Sequence, residues 1–381
     1  MEDLQEFGVG IVGYGFIGKV HAYSHSALPY FYDPAPAKTK LIGVCTSSEA
    51  SGQRAKAAAG FEFATTQWRD IVDDKRIQIV HCCTPNDLHE ELLIAALQAG
   101  KHVYCDKPLT RTLAEAERVA TAASAASGIH GMTFNCRCAP ATLRAKELVE
   151  EGFLGEIYQF RGEYLHAGYI DPKRPRTWRL DFSRSGGGAI MDLGVHMLDT
   201  VRWLCGDVDS VRTALKTVTH ERPHPNTGLP APVDVDDIAL VQLRLKSGAI
   251  GTVEATRMAT GVQDEFRWEI HGSKGMLAFN LMDPNWLTVY DARIPEGPLG
   301  GSRGPQKIEC VTRYPGPYKF GAVKNPIGWP QLHVHCLHEF IHNVATNTLG
   351  APNFQDGLAA QRLVDACLRS ATADTWAQVA C

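Results

Sequence analysis

The sequence lacks the features that send a chain into membranes, onto nucleic acids or out of the cell. Its 381 residues contain no apolar run of about 18 residues, so no transmembrane helix is expected. The net charge is −4, so the chain lacks the excess of basic residues that would attract nucleic acid or an anionic membrane. The first residues are acidic and precede an apolar segment, without a positively charged leader. The sequence therefore favours a cytoplasmic protein that acts on a small molecule, with no nucleic-acid or membrane partner.

Cysteine is present, but its pattern does not indicate a disulfide framework. The count of 11 is odd, and Cys45, Cys82 and Cys367 lie within apolar runs. Such thiols are typical of the reduced interior of a cytoplasmic protein. Cys136 and Cys138 form a Cys-x-Cys pair, but no second pair lies at ligand spacing, so no zinc site is expected there.

The pattern of hydrophobic residues changes near residue 135. Short apolar segments alternate with helical segments over residues 1–135, which indicates βαβ units and a parallel sheet. Residues 136–381 contain longer alternating strands and two closing helices. We predict an α/β protein with a dinucleotide-binding domain over residues 1–135. A second α/β domain over residues 136–381 is expected to carry a large, mostly antiparallel open sheet. Residues 222–232 and 295–330 are rich in proline and glycine and are predicted to be loops.

A Gly-x-Gly-x-x-Gly motif follows the first predicted strand and begins the first predicted helix. Glycines at these positions permit a tight turn, let the backbone approach a pyrophosphate and allow close packing of helix on strand. The helix N-terminus supplies amides to the phosphates. The residues of this turn that we expect to bind the dinucleotide are Gly13, Gly15, Phe16, Ile17 and Gly18.

The end of the second predicted strand, Cys45-Thr46-Ser47-Ser48, lacks the acidic residue that usually binds the ribose of NAD. Such a residue would also repel the 2′-phosphate of NADP. Hydroxyl groups accept either cofactor, and no arginine follows directly to bind a phosphate. We expect Thr46 and Ser47 to contact the cofactor, with a slight preference for NAD and with NADP left open.

Three further motifs follow strand ends, where ligands bind in parallel sheets. They are Thr84-Pro85-Asn86-x-x-His89, Asp106-Lys107-Pro108 and Asn135-x-Arg137. The cofactor contacts expected from them are Thr84, Pro85, Asn86, His89, Asp106, Lys107 and Asn135. A structural role for the histidine at the start of its helix remains an alternative.

Lys107, Asp192 and His196 are the expected catalytic residues. Asp192 and His196 follow a run of three glycines and lie at positions i and i+4, so one α-helical face would carry both. A neutral imidazole accepts a hydroxyl proton near neutral pH, and an ammonium group stabilises the developing alkoxide. Each also has a plainer interpretation: Lys107 as a solvent-exposed lysine, His196 as a buried core histidine, and Asp192 as a charge in the first turn of a helix.

This set of motifs resembles the glucose–fructose oxidoreductase / inositol dehydrogenase / rhizopine-catabolism (Gfo/Idh/MocA) family over essentially the whole chain. The resemblance implies a Rossmann domain followed by an α/β domain whose open sheet pairs chains into homodimers or homotetramers. It implies that Lys107 matches the lysine of the family's Glu-Lys-Pro motif, with Asp106 in place of glutamate. Asp192 and His196 match its Asp-x-x-x-His motif, which makes His196 the expected proton acceptor. Cys138 stands where the family usually has an aromatic residue.

Several further side chains are suited to binding sugar hydroxyls and ring faces. With the three catalytic residues, the expected substrate contacts are Arg137, Tyr169, Trp178, Arg179, His333 and His335. His335, His338 and His342 share a helical face, but Glu339 is expected to point elsewhere, so no metal is expected.

The leading hypothesis is an NAD(P)-dependent dehydrogenase acting on a secondary hydroxyl of a sugar, glycoside or cyclitol. Within the family, the Trp178-Arg179 segment and the histidine-bearing closing helix most resemble members that oxidise pyranose rings at C3, such as levoglucosan and glycoside 3-dehydrogenases. One alternative is a redox-neutral glycosidase or lyase with resident NAD. Another is a non-catalytic sugar or dinucleotide sensor, which the presence of both Lys107 and His196 disfavours.

Overall fold

The structure, a computed structural model, describes residues 4–319 and 325–380. They form two compact units. The first comprises residues 4–138, 314–319 and 328–358, and the second comprises residues 139–313, 325–327 and 359–380. The predicted boundary after residue 135 lies near the end of the first stretch, but the prediction assigned every later residue to the second domain.

The strands are β1 (Glu6–Val12), β2 (Lys38–Cys45), β3 (Phe63–Thr65), β4 (Ile79–Cys82), β5 (His102–Cys105), β6 (His130–Met132), β7 (Ile157–Leu165), β8 (Val208–Lys216), β9 (Glu221–Pro223), β10 (Pro230–Pro232), β11 (Ile238–Leu245), β12 (Ile250–Thr256), β13 (Glu265–Gly272), β14 (Gly275–Asn280), β15 (Trp286–Asp291), β16 (Gln306–Glu309) and β17 (Ala377–Gln378). The helices are α1 (Phe16–Phe31), α2 (Glu49–Ala59), α3 (Trp68–Asp73), α4 (His89–Gln98), α5 (Leu113–Ala125), α6 (Pro140–Glu150), α7 (Phe182–Ser185), α8 (Val195–Cys205), α9 (Trp329–Thr346) and α10 (Phe354–Ala373).

The first unit is built on a parallel sheet with the strand order β3-β2-β1-β4-β5-β6. The central strands β1 and β4 are buried along nearly their whole length, as expected when helices cover both faces of a sheet. The connections run in opposite directions on the two sides of β1, so β1 and β4 flank the switch point of the sheet. Dinucleotides bind at the carboxyl ends of such strands, where the glycine turn and the residues after β4 lie.

Helix α9 packs within the first unit although it comes late in the chain. Its Phe340 lies over Gly131 of β6, where a Cβ atom would come within 2.7 Å of the Phe340 ring. The rings of Phe340 and Tyr104 have centroids 4.8 Å apart, and the hydroxyl of Tyr32 lies 2.5 Å from Nδ1 of His335. Hydrophobic periodicity predicts this helix but not the partner of its apolar face, which is why the predicted domain extents differ from the two units.

The second unit is built on a sheet with the order β16-β15-β14-β13-β7-β12-β11-β8-β17. Neighbouring strands are antiparallel except β7 and β12, so the predicted mostly antiparallel sheet is confirmed. Helices cover one face: Met197 of α8 packs on Gly162, and Ser370 of α10 accepts a hydrogen bond from the amide of Thr213 at 2.9 Å. On β11, buried residues alternate with exposed ones such as Leu240. The second face of the sheet is therefore open within this unit.

Two segments predicted to be loops contain strands. β9 and β10 form an antiparallel hairpin within residues 222–232 and the residue before them. β16, within the predicted loop over residues 295–330, pairs with β15, and residues 320–324 of that loop lie outside the described residues. No helix in the described parts of the chain is long and apolar enough to cross a bilayer.

The first unit buries several histidines in hydrogen-bonded contact. His81 bonds His21 through its Nδ1 at 3.0 Å and His25 through its Nε2 at 2.9 Å. Burial lowers the pKa of His25 to about 3 and that of His130 to about 4. The pKa values of His21 and His81 also lie well below the usual range because of burial. These imidazoles are therefore neutral in the folded protein.

Acidification below pH ~6.5 is expected to destabilise the first unit. In the unfolded chain His25 and its neighbours regain their ordinary pKa values, so the unfolded chain binds more protons than the folded protein. The free energy of unfolding therefore decreases as the pH is lowered. Each such histidine contributes about 1.4 kcal/mol per pH unit between its two pKa values. Urea unfolding measured from pH 7 to pH 5 tests this: His25→Gln should flatten the pH dependence, and His220→Gln, at an exposed position, should leave it unchanged.

Candidate active site

The glycine turn after β1 has the geometry that a dinucleotide requires. Gly13 has φ +91°, and a Cβ atom there would lie 2.4 Å from the carbonyl oxygen of Cys83. A Cβ atom at Gly18 would lie 2.1 Å from the carbonyl oxygen of Gly13, so α1 can start this close to β1 only with glycine. Gly15 is exposed, and a Cβ atom there would meet none of the described atoms. Its backbone is thus open to a pyrophosphate, and the turn fits NAD.

The loop after β2 carries both hydroxyl groups predicted to contact the cofactor, Thr46 and Ser47, and exposes that of Ser47. Thr46 is 8% exposed, and its Oγ1 donates to the carbonyl of Ser48 and accepts from the hydroxyl of Ser51, both at 2.9 Å. The hydroxyl of Ser48 accepts from the amide of Ser51 and caps α2. Ser47 is exposed. Of the predicted cofactor contacts in this loop, Ser47 is the one whose side chain faces solvent.

His89 connects the loop after β4 to the loop after β5. Its Nε2 lies 3.0 Å from the carbonyl oxygen of Thr84, and its Nδ1 lies 3.1 and 3.2 Å from those of Pro108 and Leu109. Burial alone would lower the pKa of this imidazole, but the neighbouring Cys82 and the carbonyls raise it to about 9. A protonated ring donating on both sides fixes the two loops, so the structural role left open by the sequence fits His89 better than a cofactor contact.

The other predicted cofactor contacts lie at the ends of parallel strands. Thr84, Pro85 and Asn86 follow β4, Asp106 follows β5 and Asn135 lies beyond β6. The amide of Asp106 donates to the carbonyl of Cys82 at 3.0 Å, which extends the pairing of β5 with β4 by one residue. All five therefore lie near the carboxyl edge of the sheet, where a dinucleotide would bind.

Lys107 directly follows Asp106 and lies near a buried histidine of α9. Burial, and next the ammonium group of Lys107, lower the pKa of His333 to about 3. His333 is 3% exposed, and neither of its ring nitrogens has a hydrogen-bond partner among the described residues. Its ring packs on Trp329 at 4.2 Å, and Trp329 stacks on Phe16 of the glycine turn at 5.6 Å. This group therefore joins the glycine turn, α9 and Lys107, and it offers two unpaired nitrogens.

Two of the predicted substrate contacts, Arg137 and His335, are buried and bonded to other side chains of the first unit. Arg137 is 3% exposed and its Nη2 pairs with Oδ1 of Asp356 at 3.1 Å, so its charge is balanced inside the first unit. His335 is 2% exposed, bonds Tyr32 and packs on Tyr314 at 4.2 Å. The predictions placed Arg137 and His335 at the substrate because sequence position alone does not reveal these partners. We remove both from the proposed substrate contacts.

In the second unit, a carboxylate holds the start of the segment that carries the predicted acid–base pair. The amides of Gly188 and Ile190 donate to Oδ1 and Oδ2 of Asp236 at 2.7 and 2.8 Å. A Cβ atom at Gly188 would lie 1.7 Å from the carbonyl oxygen of Asp236, so glycine is required there. The sequence prediction found the glycines but missed Asp236. The acidic segment Val233–Asp237 was the available signal.

The helix itself differs from the prediction. Ile190–Gly194 is a π-helical turn, and α8 begins at Val195. Asp192 lies in the π turn and His196 in α8, so the α-helical spacing that would place both on one face does not apply. π turns inserted in helices are frequent at functional sites.

Arg257, which sequence analysis missed, is the charged partner of Asp192. Its Nη2 donates to Oδ2 of Asp192 at 3.1 Å, and its Nη1 lies 3.4 Å from the carbonyl oxygen of Arg179. Arg257 is 1% exposed, whereas the side chain of Asp192 is 23% exposed. Burial opposes the charge on the guanidinium, but Asp192 and then Tyr169 outweigh burial and raise its pKa. Arg257 thus pairs with the Asp192 carboxylate and orients it, while that carboxylate remains accessible.

Tyr169 lies at the centre of the predicted substrate-binding segment. It is 6% exposed, and the guanidinium groups of Arg174, Arg257 and Arg222 lie 4.4, 4.9 and 5.6 Å from its ring centroid. Such contacts are cation–π interactions. Tyr169 therefore supports the arginine that holds Asp192, and its burial favours this supporting role over stacking on a sugar.

Trp178 and Arg179 form a more accessible pair next to this cluster. Both are partly exposed, and the Arg179 guanidinium lies 4.5 Å from the Trp178 ring. A hydroxyl-bearing ligand could use the face of one residue and the donors of the other. His196, 6% exposed, packs edge-on against Tyr164 with centroids 5.7 Å apart.

Arg257→Met is expected to lower kcat/KM by roughly tenfold or more, since Asp192 loses the cation that orients it. Arg222→Met is the matched control: Arg222 is equally buried beside Tyr169, but its hydrogen bonds within the described residues go to the backbone carbonyls of Tyr169 and Asp171. Both variants should lose folding stability. Only Arg257→Met should change the pH profile of kcat/KM, and equal profiles for the two variants would contradict the role of Arg257.

Comparison with known proteins places this geometry in a family. Residues 7–134 match the profile described as the oxidoreductase family with an NAD-binding Rossmann fold, and residues 142–278 match the GFO/IDH/MocA C-terminal domain. The chain is 36% identical to the levoglucosan dehydrogenase of Pseudarthrobacter phenanthrenivorans over 99% of both chains. It is 28% identical to the inositol 2-dehydrogenase of Rhizobium meliloti over 95% of this chain and 96% of that enzyme.

A solved structure of levoglucosan dehydrogenase in complex with NADH and L-sorbose matches with a TM-score of 0.93 at 36% identity. The match covers 99% of this chain and 100% of that chain. Fold and glycine turn together define an NAD-binding oxidoreductase. The chain belongs to the Gfo/Idh/MocA family, which confirms the resemblance inferred from its motifs.

Proposed function

We propose that the protein is an NAD-dependent dehydrogenase that oxidises a secondary hydroxyl of a sugar, anhydrosugar or cyclitol, with pyranose C3 as the reacting carbon. The observation that carries the proposal is the Asp192–Arg257 pair beside the hydroxyl-binding candidates Trp178 and Arg179. The full-length likeness to levoglucosan dehydrogenase supports the anhydrosugar class.

In the proposed mechanism the chain's own residues move the proton and position the substrate. NAD, when bound, supplies the hydride acceptor. His196 takes the hydroxyl proton as the alkoxide forms, and the ammonium of Lys107 stabilises the developing negative charge. Asp192 accepts a hydrogen bond from a neighbouring hydroxyl, and His333 offers a further polar contact near Lys107. Trp178 and Arg179 bind the sugar ring and its hydroxyls.

The test is a panel of levoglucosan, myo-inositol, free hexoses and glycosides with NAD⁺ or NADP⁺. The proposal predicts that NADH accumulates in solution with at least one sugar or cyclitol. Cleavage of a glycoside without accumulation of NADH would instead support the redox-neutral alternative with resident NAD. Binding of a sugar with neither reaction would support a sensor, and both results would overturn the proposed dehydrogenase.

For the choice between the two cofactors, we propose a weak preference for NAD over NADP. Ser47→Asp places a carboxylate at the exposed hydroxyl of the loop after β2, so the KM for NADP should rise by roughly tenfold or more, with a smaller effect on NAD. Ser47→Asn, of similar size without charge, is the control. Equal changes for both cofactors would mean that this loop does not reach the ribose.

We further propose that the open face of the sheet joins chains into a homodimer or homotetramer. Leu240 and Ile250 are 49% and 57% exposed on neighbouring strands there, and exposed apolar side chains on a broad sheet favour pairing. Light scattering should give a multiple of 41.7 kDa, and Leu240→Glu should reduce it. We also propose a cytoplasmic location, because the cysteines of the described ranges form no disulfides with one another.

A further inference from the structure

About two turns of α9 carry four side chains of the types that ligate metals. His335, His338, Glu339 and His342 occupy positions i, i+3, i+4 and i+7, so they share one helical face. The sequence contains two ligand pairs at i, i+4 spacing, His335 with Glu339 and His338 with His342. The sequence predicts this histidine face, but with Glu339 pointing away from it.

The structure corrects that expectation. Oε1 of Glu339 lies 2.9 Å from Nδ1 of His338 and 4.0 Å from Nε2 of His335. One ligand atom from each of these three residues lies within 4.8 Å of the other two. Ligands of a bound ion about 2 Å from its centre are separated by roughly 3 Å, so modest side-chain rotations would bring these atoms into coordination distance.

The ring of His335 is already oriented for such a contact. The hydroxyl of Tyr32 bonds its Nδ1 at 2.5 Å, which leaves Nε2 directed towards Glu339. Histidines that bind metals usually bond their second ring nitrogen to a protein group, which fixes the tautomer and the ring. Tyr32 also stacks on His338 with centroids 3.7 Å apart. The end of α1 therefore positions both imidazoles.

Access to the cluster is from the side of Glu339. The side chains of His335 and His338 are 2% and 7% exposed, whereas that of Glu339 is 41% exposed. His342 is exposed one turn further on, with its ring 6.3 Å from that of His338. An ion can thus enter from solvent, and water or His342 can complete its coordination.

We propose that His335, His338 and Glu339 bind one divalent transition-metal ion, with Zn²⁺ as the reference ion. Two imidazoles and one carboxylate favour Zn²⁺, Co²⁺, Ni²⁺ or Cu²⁺ over Mg²⁺ and Ca²⁺, which prefer oxygen ligands alone. The ion stabilises α9 against the end of α1 through His335 and Tyr32. This site is independent of the proposed dehydrogenase reaction.

A second group, Cys82, His89 and Cys105, also brings three ligand atoms within 4.8 Å of one another. All three residues are buried, and both ring nitrogens of His89 face backbone carbonyls. A metal there would have to break those hydrogen bonds. The α9 cluster is favoured because its ligands need only rotate.

The experiment titrates chelator-treated full-length protein with Zn²⁺ against a chromophoric chelator, and with Co²⁺ by absorption spectroscopy. We expect one equivalent to bind, with d–d bands and no thiolate charge-transfer band. Glu339→Gln, a change at a partly exposed position, should weaken binding by more than about tenfold, and Tyr32→Phe by roughly tenfold. The control His271→Gln alters a surface histidine 3.6 Å from Glu269 and should leave binding unchanged.

Zn²⁺ should also raise the Tm of the unaltered protein and not that of Glu339→Gln, while the two should have equal Tm in the presence of chelator. Absence of a bound equivalent would overturn the proposal, as would unchanged affinity in Glu339→Gln. A thiolate band that disappears in Cys105→Ser would place the ion at the cysteine group and would overturn it too.

Discussion

Lys107→Met is expected to lower kcat by about a hundredfold or more while NAD affinity changes little. Lys107 follows β5 at the carboxyl edge of the parallel sheet. After burial, its positive charge is the next cause that lowers the pKa of His333. Methionine keeps the length and apolar stem of lysine but removes the charge. The proposed alkoxide therefore loses its stabilising cation, whereas the glycine turn that would bind the dinucleotide is untouched.

Stopped-flow measurement of NADH formation and fluorescence titration of NADH separate these two effects. Lys56→Met, which removes an exposed lysine of α2, is the control and should retain full activity. An unchanged kcat for Lys107→Met with the best substrate would show that the ammonium group does not act on the reacting oxygen.

His196→Asn should abolish most activity and also remove the rise of kcat/KM with pH. Oxidation requires the neutral imidazole to accept the hydroxyl proton, so the rate of the unaltered enzyme increases as the base loses its own proton. Asparagine keeps some hydrogen bonding and fits beside Tyr164, which contacts the histidine ring. The loss should therefore reflect the missing base, and NAD should still bind.

The control for this variant is His220→Asn, which replaces an exposed histidine of the same unit. It should show the normal rate and pH profile. If His196→Asn retained both the rate and the pH dependence, the base would be another residue, with Lys107 the first to test.

Local patterns predicted most of the fold. The glycine turn was predictable from its Gly-x-Gly-x-x-Gly spacing. The structure shows why glycine is needed there, since Gly13 and Gly18 approach neighbouring carbonyls too closely for a side chain. The alternating strands of the second unit follow from a sheet with one covered face and one open face. The second of the two predicted closing helices corresponds to α10 (Phe354–Ala373).

Long-range partners were not predictable in the same way. Arg257 lies 65 residues from Asp192 in sequence, and nothing near either residue indicates the pair. The carboxylate of Asp236 accepts hydrogen bonds from the amides of Gly188 and Ile190 where the π turn begins, and this contact joins segments that are distant in sequence. Arg137 and His335 were assigned to substrate because a polar residue after a strand or on a helix does not reveal which partner it meets.

In the proposed reaction a hydride leaves the C3 carbon of a pyranose-type substrate for NAD. The decisive measurement incubates levoglucosan deuterated at C3 with the protein and NAD⁺ and analyses the reduced cofactor by mass spectrometry. We expect deuterium on the nicotinamide and a slower reaction than with unlabelled sugar. Reduced cofactor without deuterium would contradict the assignment of C3, and no reduced cofactor with this sugar or any other in the panel would contradict the dehydrogenase itself.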